Sequence, residues 1–460
     1  MSFGIWQEIP IPMYFECFLY NITNVDDILA GKKVKLRVQQ MGPYVFREKQ
    51  EKVNIVWNEN STLTYQTRRF WYFEPERSNG SLSDMVTNIN PVIPAVAYVL
   101  RNEPAIMNML ANMLINMYNT HMFLTANASE WLFDGINNPI LTITSKIPGF
   151  PYDIPFDKFG WLYTRNGSSD YDGIFVVNTG EADFSRLGKI EMWNHSNRTV
   201  YPGSCGEVRG SSGELWAPKK GLSEISLFAP DICTTLTLGA NGTENIMGIE
   251  GAKFISNDSM FDNGQKYPSK ACYCKGSEDN CMLSGALNVS ACRYGAPAFV
   301  TLPHFRHLHP YYADKVDGLE PTEDHNFQMA IDMVTGMPLM VLAQLQVNVL
   351  VRHSPGITLN NQLPDPDLLV PMLWFREQVV VDGKYSSFAK LAINIYYWMS
   401  FAFYIITAIG VMLLASGLGI VKRRILKRHS VVTEAQIFLK DEKSHTLNSK
   451  ISRTVSYYQN

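Results

Sequence analysis

An antiparallel α+β fold held to a membrane by a C-terminal helix is what this sequence predicts, and three observations carry the prediction. Several short segments alternate apolar and polar residues with a period of two, the pattern of half-buried strands. These segments do not alternate regularly with helical ones, which disfavours a doubly wound parallel sheet and favours an antiparallel barrel or sandwich with helical insertions. Leu391–Val421 carries no charged residue, and it exceeds the roughly 20 apolar residues that cross a bilayer core as a helix.

In chain order, Lys52–Trp57 and Leu63–Thr67 alternate on either side of the turn-like Asn58-Glu-Asn-Ser61, which predicts a hairpin. Gly173–Val177, Glu224–Phe228 and Gln344–Val351 read as further strands, and in the last Leu345, Val347, Val349 and Val351 share one face. The main helical segment is Pro104–Ser129, preceded by Asn90-Pro91 and Pro94, and it contains no Asp, Glu, Lys or Arg. Asn108, Asn112, Asn116 and Asn119 align on one helical face. Ile106, Leu110, Met113, Leu114 and Met117 form an apolar stripe beside them, with Met107, Met109 and Met122 adding to the methionine content. Four Asn and His121 would be desolvated in lipid, so this segment is not a membrane span. The pattern alone favours a core-packing helix with Asn on its solvated face over an exposed, methionine-rich docking surface. No internal repeat recurs at a fixed period.

The apolar span divides two chemically different regions. All seven cysteines precede it, as do the ten Asn-x-Ser/Thr sequons at Asn21, Asn60, Asn79, Asn127, Asn166, Asn194, Asn197, Asn241, Asn257 and Asn288. Lys422-Arg423-Arg424-Ile425-Leu426-Lys427-Arg428 follows it at once. Basic residues beside a span stay cytoplasmic, which places 422–460 inside and 1–390 outside as a glycosylated ectodomain. Tyr396, Tyr397 and Trp398 suit an interfacial aromatic belt at the outer end of the span. Ala415-x-x-x-Gly419 either packs against another copy, giving a homo-oligomer, or faces lipid. Tyr457 and Tyr458 are phosphate acceptors with no specific signal around them.

Met1–Phe15 lacks the cationic and apolar regions of a signal peptide, so the expectation is a chain that begins just after a missing first transmembrane helix. Cys205, Cys233, Cys272, Cys274, Cys281 and Cys292 fall in one window and read as a three-disulfide framework with 15 possible connectivities. A zinc site built on Cys272-x-Cys274 with Cys281 and Cys292 lacks the usual C-x2-C knuckle. Cys17 is left as a buried, unpaired thiol. A formal net charge of -3, without a basic stripe, excludes nucleic acid as a partner. His304, His307 and His309, with Glu323 and His325, lack the i, i+4 spacing of a zincin helix, and Pro303 and Pro310 break the segment. No Gly-x-Ser-x-Gly elbow occurs, so the residues support no enzyme and call for no metal or cofactor.

Several segments, in order, are similar to those of the class B scavenger receptor family. They are Ile9-Pro-Ile-Pro12, Asn21-Ile-Thr-Asn24, Gly31 with Met41-Gly-Pro-Tyr-Val-Phe-Arg-Glu48, and Leu302-Pro-His-Phe305. Asp317-Gly-Leu-Glu-Pro321, Val334-Thr-Gly336, Gln344–Val351 and Pro371-Met-Leu-Trp-Phe375 complete the set, which spans essentially the whole ectodomain. The resemblance implies an ectodomain anchored by a transmembrane helix at each end. It also implies a large antiparallel β-barrel pierced by an apolar tunnel, with an apical helical bundle over about residues 90–135.

In such receptors the apex captures ligands and the tunnel conducts lipid toward the membrane. That reverses the reading of Pro104–Ser129 in favour of capture, with Met107, Leu110, Met113, Leu114, Met117, His121, Met122 and Phe123 as the contact residues. The resemblance further implies the disulfides Cys205–Cys272, Cys233–Cys292 and Cys274–Cys281, and a structural role for His304. Relatives place lysines in the apical helices to meet acidic ligands, whereas this segment has none. Neutral lipids, sterols or carotenoids, and the lipoprotein particles that carry them, therefore suit it better than anionic ligands. The tail has no Leu-Leu pair for lysosomal sorting and no cysteine for palmitoylation, which favours the plasma membrane. The expected function is a cell-surface scavenger or lipid receptor. A phagocytic or adhesion receptor without lipid transport, and a sensory co-receptor for hydrophobic odorants, are the alternatives.

Overall fold

The structure, a computed structural model, describes residues 2–144, 152, 154–274 and 281–455. Tyr457 and Tyr458 lie outside the described residues. Two compact units are present, Met1–Ala389 and Lys390–Asn460.

The first unit is built on one long sheet. Its strands of four or more residues are β1 (Met13–Ile22), β2 (Leu36–Asn58), β3 (Thr62–Phe73), β6 (Ile174–Asn178), β7 (Ile190–Trp193), β8 (Glu224–Ala229), β9 (Thr234–Ile246) and β10 (Ile249–Ile255), followed by β11 (Ala298–Thr301), β12 (Gln328–Ile331), β13 (Pro338–Arg352) and β14 (Asp367–Val380). A separate hairpin pairs β4 (Met85–Ile89) with β5 (Phe123–Asn127). The order across the sheet is β8-β9-β10-β12-β13-β14-β1-β2-β3-β6-β7, with β11 on β13. All of these pairings are antiparallel.

Ser211 nearly closes the sheet into a barrel. It bridges Lys189 on one side and Leu227 on the other, and the Phe228 N–H donates to its carbonyl at 2.8 Å. Closure satisfies edge groups that an open sheet of this width would leave exposed. The N-terminal strand β1 lies in mid-sheet between β14 and β2, with Met13 opposite both Val379 and Glu48. The β2–β3 hairpin forms around Asn58–Ser61 with Lys52 opposite Thr67, and Gln344–Val351 lies inside β13.

Both faces of β13 are buried. Gln344, Gln346 and Asn348 are as inaccessible as the leucines beside them, and they persist there because each is hydrogen-bonded. Tyr20 Oη donates to Gln346 Oε1 at 2.9 Å, and Gln346 Nε2 donates to Asn348 Oδ1 at 2.7 Å. Asn348 Nδ2 in turn reaches the Phe299 carbonyl at 3.1 Å. His304 joins this polar seam. Its Nδ1 accepts from the Glu320 N–H at 3.0 Å, which leaves Nε2 as the donor to Gln40 Oε1 at 2.8 Å. Burial, and then the charge of His325 stacked on it at 4.3 Å, pushes the His304 imidazole down to about 4. Both ring nitrogens are engaged in the fold. Among the described residues, no three His, Cys, Asp or Glu side chains converge as metal ligands.

The helical segment differs from the expected Pro104–Ser129 helix. A helix at Val92–Val99 and a 3-10 turn at Leu100–Asn102 precede the main helix, Ala105–Met117, which stops twelve residues early. Tyr118 closes the last turn by donating to the Leu114 carbonyl, and Asn119 adopts a left-handed φ of 47°. An asparagine tolerates that conformation and ends helices there. Phe123–Asn127 then pairs with β4 instead of continuing the helix, and Thr87 Oγ1 meets Thr125 Oγ1 at 2.7 Å. Asn119, Met122 and Phe123 therefore do not share the helix face.

The three disulfides of the structure are Cys205–Cys272, Cys233–Cys292 and Cys274–Cys281, and Cys17 is a buried free thiol on β1. The helix Gly383–Val455 begins in the first unit, includes the whole of Leu391–Val421 and runs on through the basic segment of the second.

Candidate functional site

The Ala105–Met117 helix carries apolar residues on its solvent side as well as on its buried side. Asn108 faces inward, where its Nδ2 donates to the Leu100 carbonyl at 3.0 Å, and the Asn112 Oδ1 is buried without a partner among the described residues. Ala111 and Ile115 pack into the core, with Met107 and Leu114 half-buried against it. Ile106, Met109, Leu110, Met113 and Met117 face solvent, Met109 and Met117 with more than 60% of their surface exposed at 62% and 63%. The helix thus anchors through Ala111 and Ile115, with Asn108 and Asn112 half-buried beside them, and leaves a stripe of exposed thioethers that adds nothing to the core.

Among the eight predicted capture residues, Leu110, Met113, Met117 and His121 are exposed, whereas Met107, Leu114 and Phe123 are half-buried. Met122 is wholly buried, and its carbonyl accepts from Asn90 at 2.7 Å, so it cannot meet a ligand at the surface. Ile106 and Met109 belong to the exposed stripe in its place.

Beneath the Val92–Val99 helix, the barrel encloses a cavity of about 570 Å³. The apolar wall comes from alternate residues of several strands: Phe15 of β1, Trp71 of β3, Val300 of β11, Leu345, Val347 and Val349 of β13, and Leu373 and Phe375 of β14. Val92, Val96 and Val99 line it from the helix. The period of two is what brings them together, since residues i, i+2 and i+4 of a strand point to one side.

Charged groups also line the cavity, and the arginines among them belong to one network. Arg69 Nε donates to Asp172 Oδ2 at 2.8 Å and its NH1 to Glu48 Oε1 at 2.9 Å. Arg165 reaches Asp172 Oδ1 and Asp231 Oδ1, each at 2.9 Å. Arg293 holds Asp231 at 3.2 Å. Burial pushes the Asp172 carboxyl up, but Arg165 and Arg69 outweigh it and hold the group at about 2. Glu377 is the exception. It continues the inward face Leu373–Phe375, and among the described residues its carboxylate has a single ion pair, with Arg69 at 3.6 Å. Burial, and then the negative charge of Glu48, raises its carboxyl to about 7.

Sequence reasoning missed this charged cluster, because its members come from separate segments of the chain with no spacing to reveal them. One signal was present: Glu377 sits at the two-residue period of an otherwise apolar face, Leu373–Phe375–Glu377.

The sequence that builds this barrel and cavity has relatives among known proteins. The CD36 family model matches residues 1–421. The chain belongs to the CD36 family. It is 34% identical to Protein peste of Drosophila melanogaster over 394 residues, covering 84% of this chain and 69% of that protein. Scavenger receptor class B member 1 of Bos taurus is 30% identical over 420 residues, or 90% of this chain and 80% of the receptor. Lysosome membrane protein 2 of Homo sapiens is 27% identical over 417 residues, 89% and 84% of the two chains. As a CD36-family member, the protein is a membrane-bound scavenger or lipid receptor and not an enzyme.

Proposed function

We propose that this CD36-family receptor captures lipid-bearing particles on the Ala105–Met117 stripe and passes neutral lipid through the barrel cavity to the membrane. The observation that carries the reading is the about 570 Å³ cavity, whose wall is mostly apolar and begins under the helical segment. Moving a lipid through water exposes apolar surface at about 25 cal/mol per Å². An apolar conduit removes most of that barrier, so transfer down a gradient needs no catalytic residue and no energy source. Exposed, polarizable methionines suit adhesion to varied apolar surfaces. The absence of Lys and Arg from Pro104–Ser129 favours sterols, carotenoids and lipoprotein particles over anionic ligands.

The same proposal places the ectodomain outside the cell at the plasma membrane, with the tail cytoplasmic. Family relatives with lysosomal names make the lysosome the competing location. The ten sequon asparagines are all exposed or half-exposed, which suits glycosylation. The three disulfides suit an oxidising compartment. Ala415 and Gly419 are the proposed contact for a homo-oligomer within the membrane.

A bulky maleimide adduct on Val347→Cys, placed in the cavity wall, tests the conduit. The expected outcome is loss of labelled cholesteryl-ester uptake by transfected cells while particle adhesion stays intact. Equal loss of both would refute the separation of capture from conduction.

A further inference from the structure

Resting on the conduit reading, we infer that the Glu377 carboxylate is the polar anchor of the cavity, selecting an uncharged lipid that carries a hydroxyl group. Glu377 lines the cavity and keeps 25% of its side-chain surface. Its carboxylate accepts no hydrogen bond among the described residues, and its ionic contact with Arg69 is long, at 3.6 Å. A partly buried carboxylate without a hydrogen-bond donor costs free energy that a ligand donor recovers.

The three arginines around it already hold carboxylates. Arg69 is held by Glu48 and Asp172, and Arg165 by Asp172 and Asp231. Arg293 is held by Asp231. Three guanidinium groups thus face four carboxylates, counting Glu377 itself. Arg165 Nε lacks a partner among the described residues and Lys158 also lines the cavity, but within the cluster carboxylates outnumber guanidinium groups, so an anionic head group beside Glu377 meets an excess of negative charge. A hydroxyl finds an acceptor, and an ester, having no O–H, gains nothing from the ionised group. The cavity volume lies within the range of about 300–1,000 Å³ that encloses most of a small organic ligand. The partial ionisation of Glu377 near neutrality agrees with a group that a bound donor stabilises in its charged form.

The test uses the full chain in lipid nanodiscs at pH 8, with equilibrium binding of cholesterol, monooleoylglycerol, cholesteryl oleate and oleate to the unsubstituted protein, Glu377→Leu and Glu377→Gln. Glu377→Leu is expected to weaken cholesterol about tenfold, the value of a hydrogen bond to a charged group, and to leave cholesteryl oleate unchanged, which also shows that the cavity is folded. Glu377→Gln, which keeps an acceptor and loses the charge, is expected to hold cholesterol within about threefold and to tighten oleate. Monooleoylglycerol following cholesterol would make the hydroxyl the recognised feature; cholesterol alone responding would make it a sterol hydroxyl. Unchanged cholesterol binding in Glu377→Leu, with cholesteryl oleate still bound, overturns the anchor and leaves the conduit standing. No binding of any lipid to the unsubstituted chain overturns both.

Discussion

Arg69 and Glu377 show at the residue scale how a charged cluster survives inside an apolar barrel. Burial works against the Arg69 guanidinium, yet Asp172, Glu48 and Glu377 together raise it well above its ordinary value. Removing one member of such a network strands its partners, at a cost of about 3–5 kcal/mol. Arg69→Leu should therefore lower the chemical-denaturation stability by that amount, whereas Arg186→Ala, which breaks an exposed pair with Glu191, should cost less than about 1 kcal/mol. Comparable losses in the two variants would mean that the cluster is not energetically coupled.

The pH dependence follows from the same groups. Glu377 holds its proton more tightly in the fold than in the unfolded chain, so its contribution is fully present below its ordinary value of 4.5 and is lost as pH rises through about 7. His304 acts in the opposite sense. Its neutral form is buried, so its contribution is present above 6.5 and is lost as pH falls toward about 4. The thermal transition of Glu377→Gln should accordingly exceed that of the unsubstituted protein increasingly as pH rises from about 4.5 to 7. A gap independent of pH would show that Glu377 titrates normally.

At the scale of single elements, the Ala105–Met117 helix carries the clearest separation of stability from function. Its buried positions are Ala111 and Ile115, and its exposed ones are Ile106, Met109, Leu110, Met113 and Met117. Leu110→Asp with Met113→Asp should change stability by less than about 1 kcal/mol, as exposed substitutions do, while cell-surface capture of lipoprotein particles falls several-fold. Capture at the unsubstituted level, measured with labelled particles at 4 °C to suppress uptake, would remove the stripe from the capture site. The motif glycines carry a different lesson. Gly318, in Asp317–Pro321, has a φ of +97°, and a Cβ there would lie 1.9 Å from the Val38 carbonyl oxygen. Gly336, in Val334–Gly336, is similarly pressed against the Trp216 carbonyl. These segments of the family pattern reflect backbone contacts, which only glycine permits.

For the whole molecule, the asymmetry of charge and sequons across the span yields a topological expectation. An epitope on the tail beyond Arg428 should be digested by protease only after plasma-membrane permeabilisation, and glycosidase treatment should shift the mass of the intact chain. Digestion without permeabilisation would invert the proposed orientation. The β-barrel itself was legible only in part. Lys52–Trp57, Leu63–Thr67 and Gln344–Val351 announced strands by their period, but nothing in the sequence pairs β1 with β14, more than 350 residues away. The polar face of β13 carries no mark of burial either, since Gln344, Gln346 and Asn348 would sit equally well in water.

Local chemistry carries what a sequence can determine by itself: the apolar segment through its unbroken run, an expected orientation through adjacent basic residues, and the strands through their two-residue period. Tertiary structure alone decided which face of the Ala105–Met117 helix meets solvent. Asparagine and methionine are both tolerated inside and outside, and the choice depends on the Leu100 carbonyl and Gly356 that happen to face Asn108. It also decided that the Glu377 carboxylate stands beside the arginine cluster without a hydrogen bond among the described residues, because the partners of a buried charge come from strands and loops that the chain brings together only on folding.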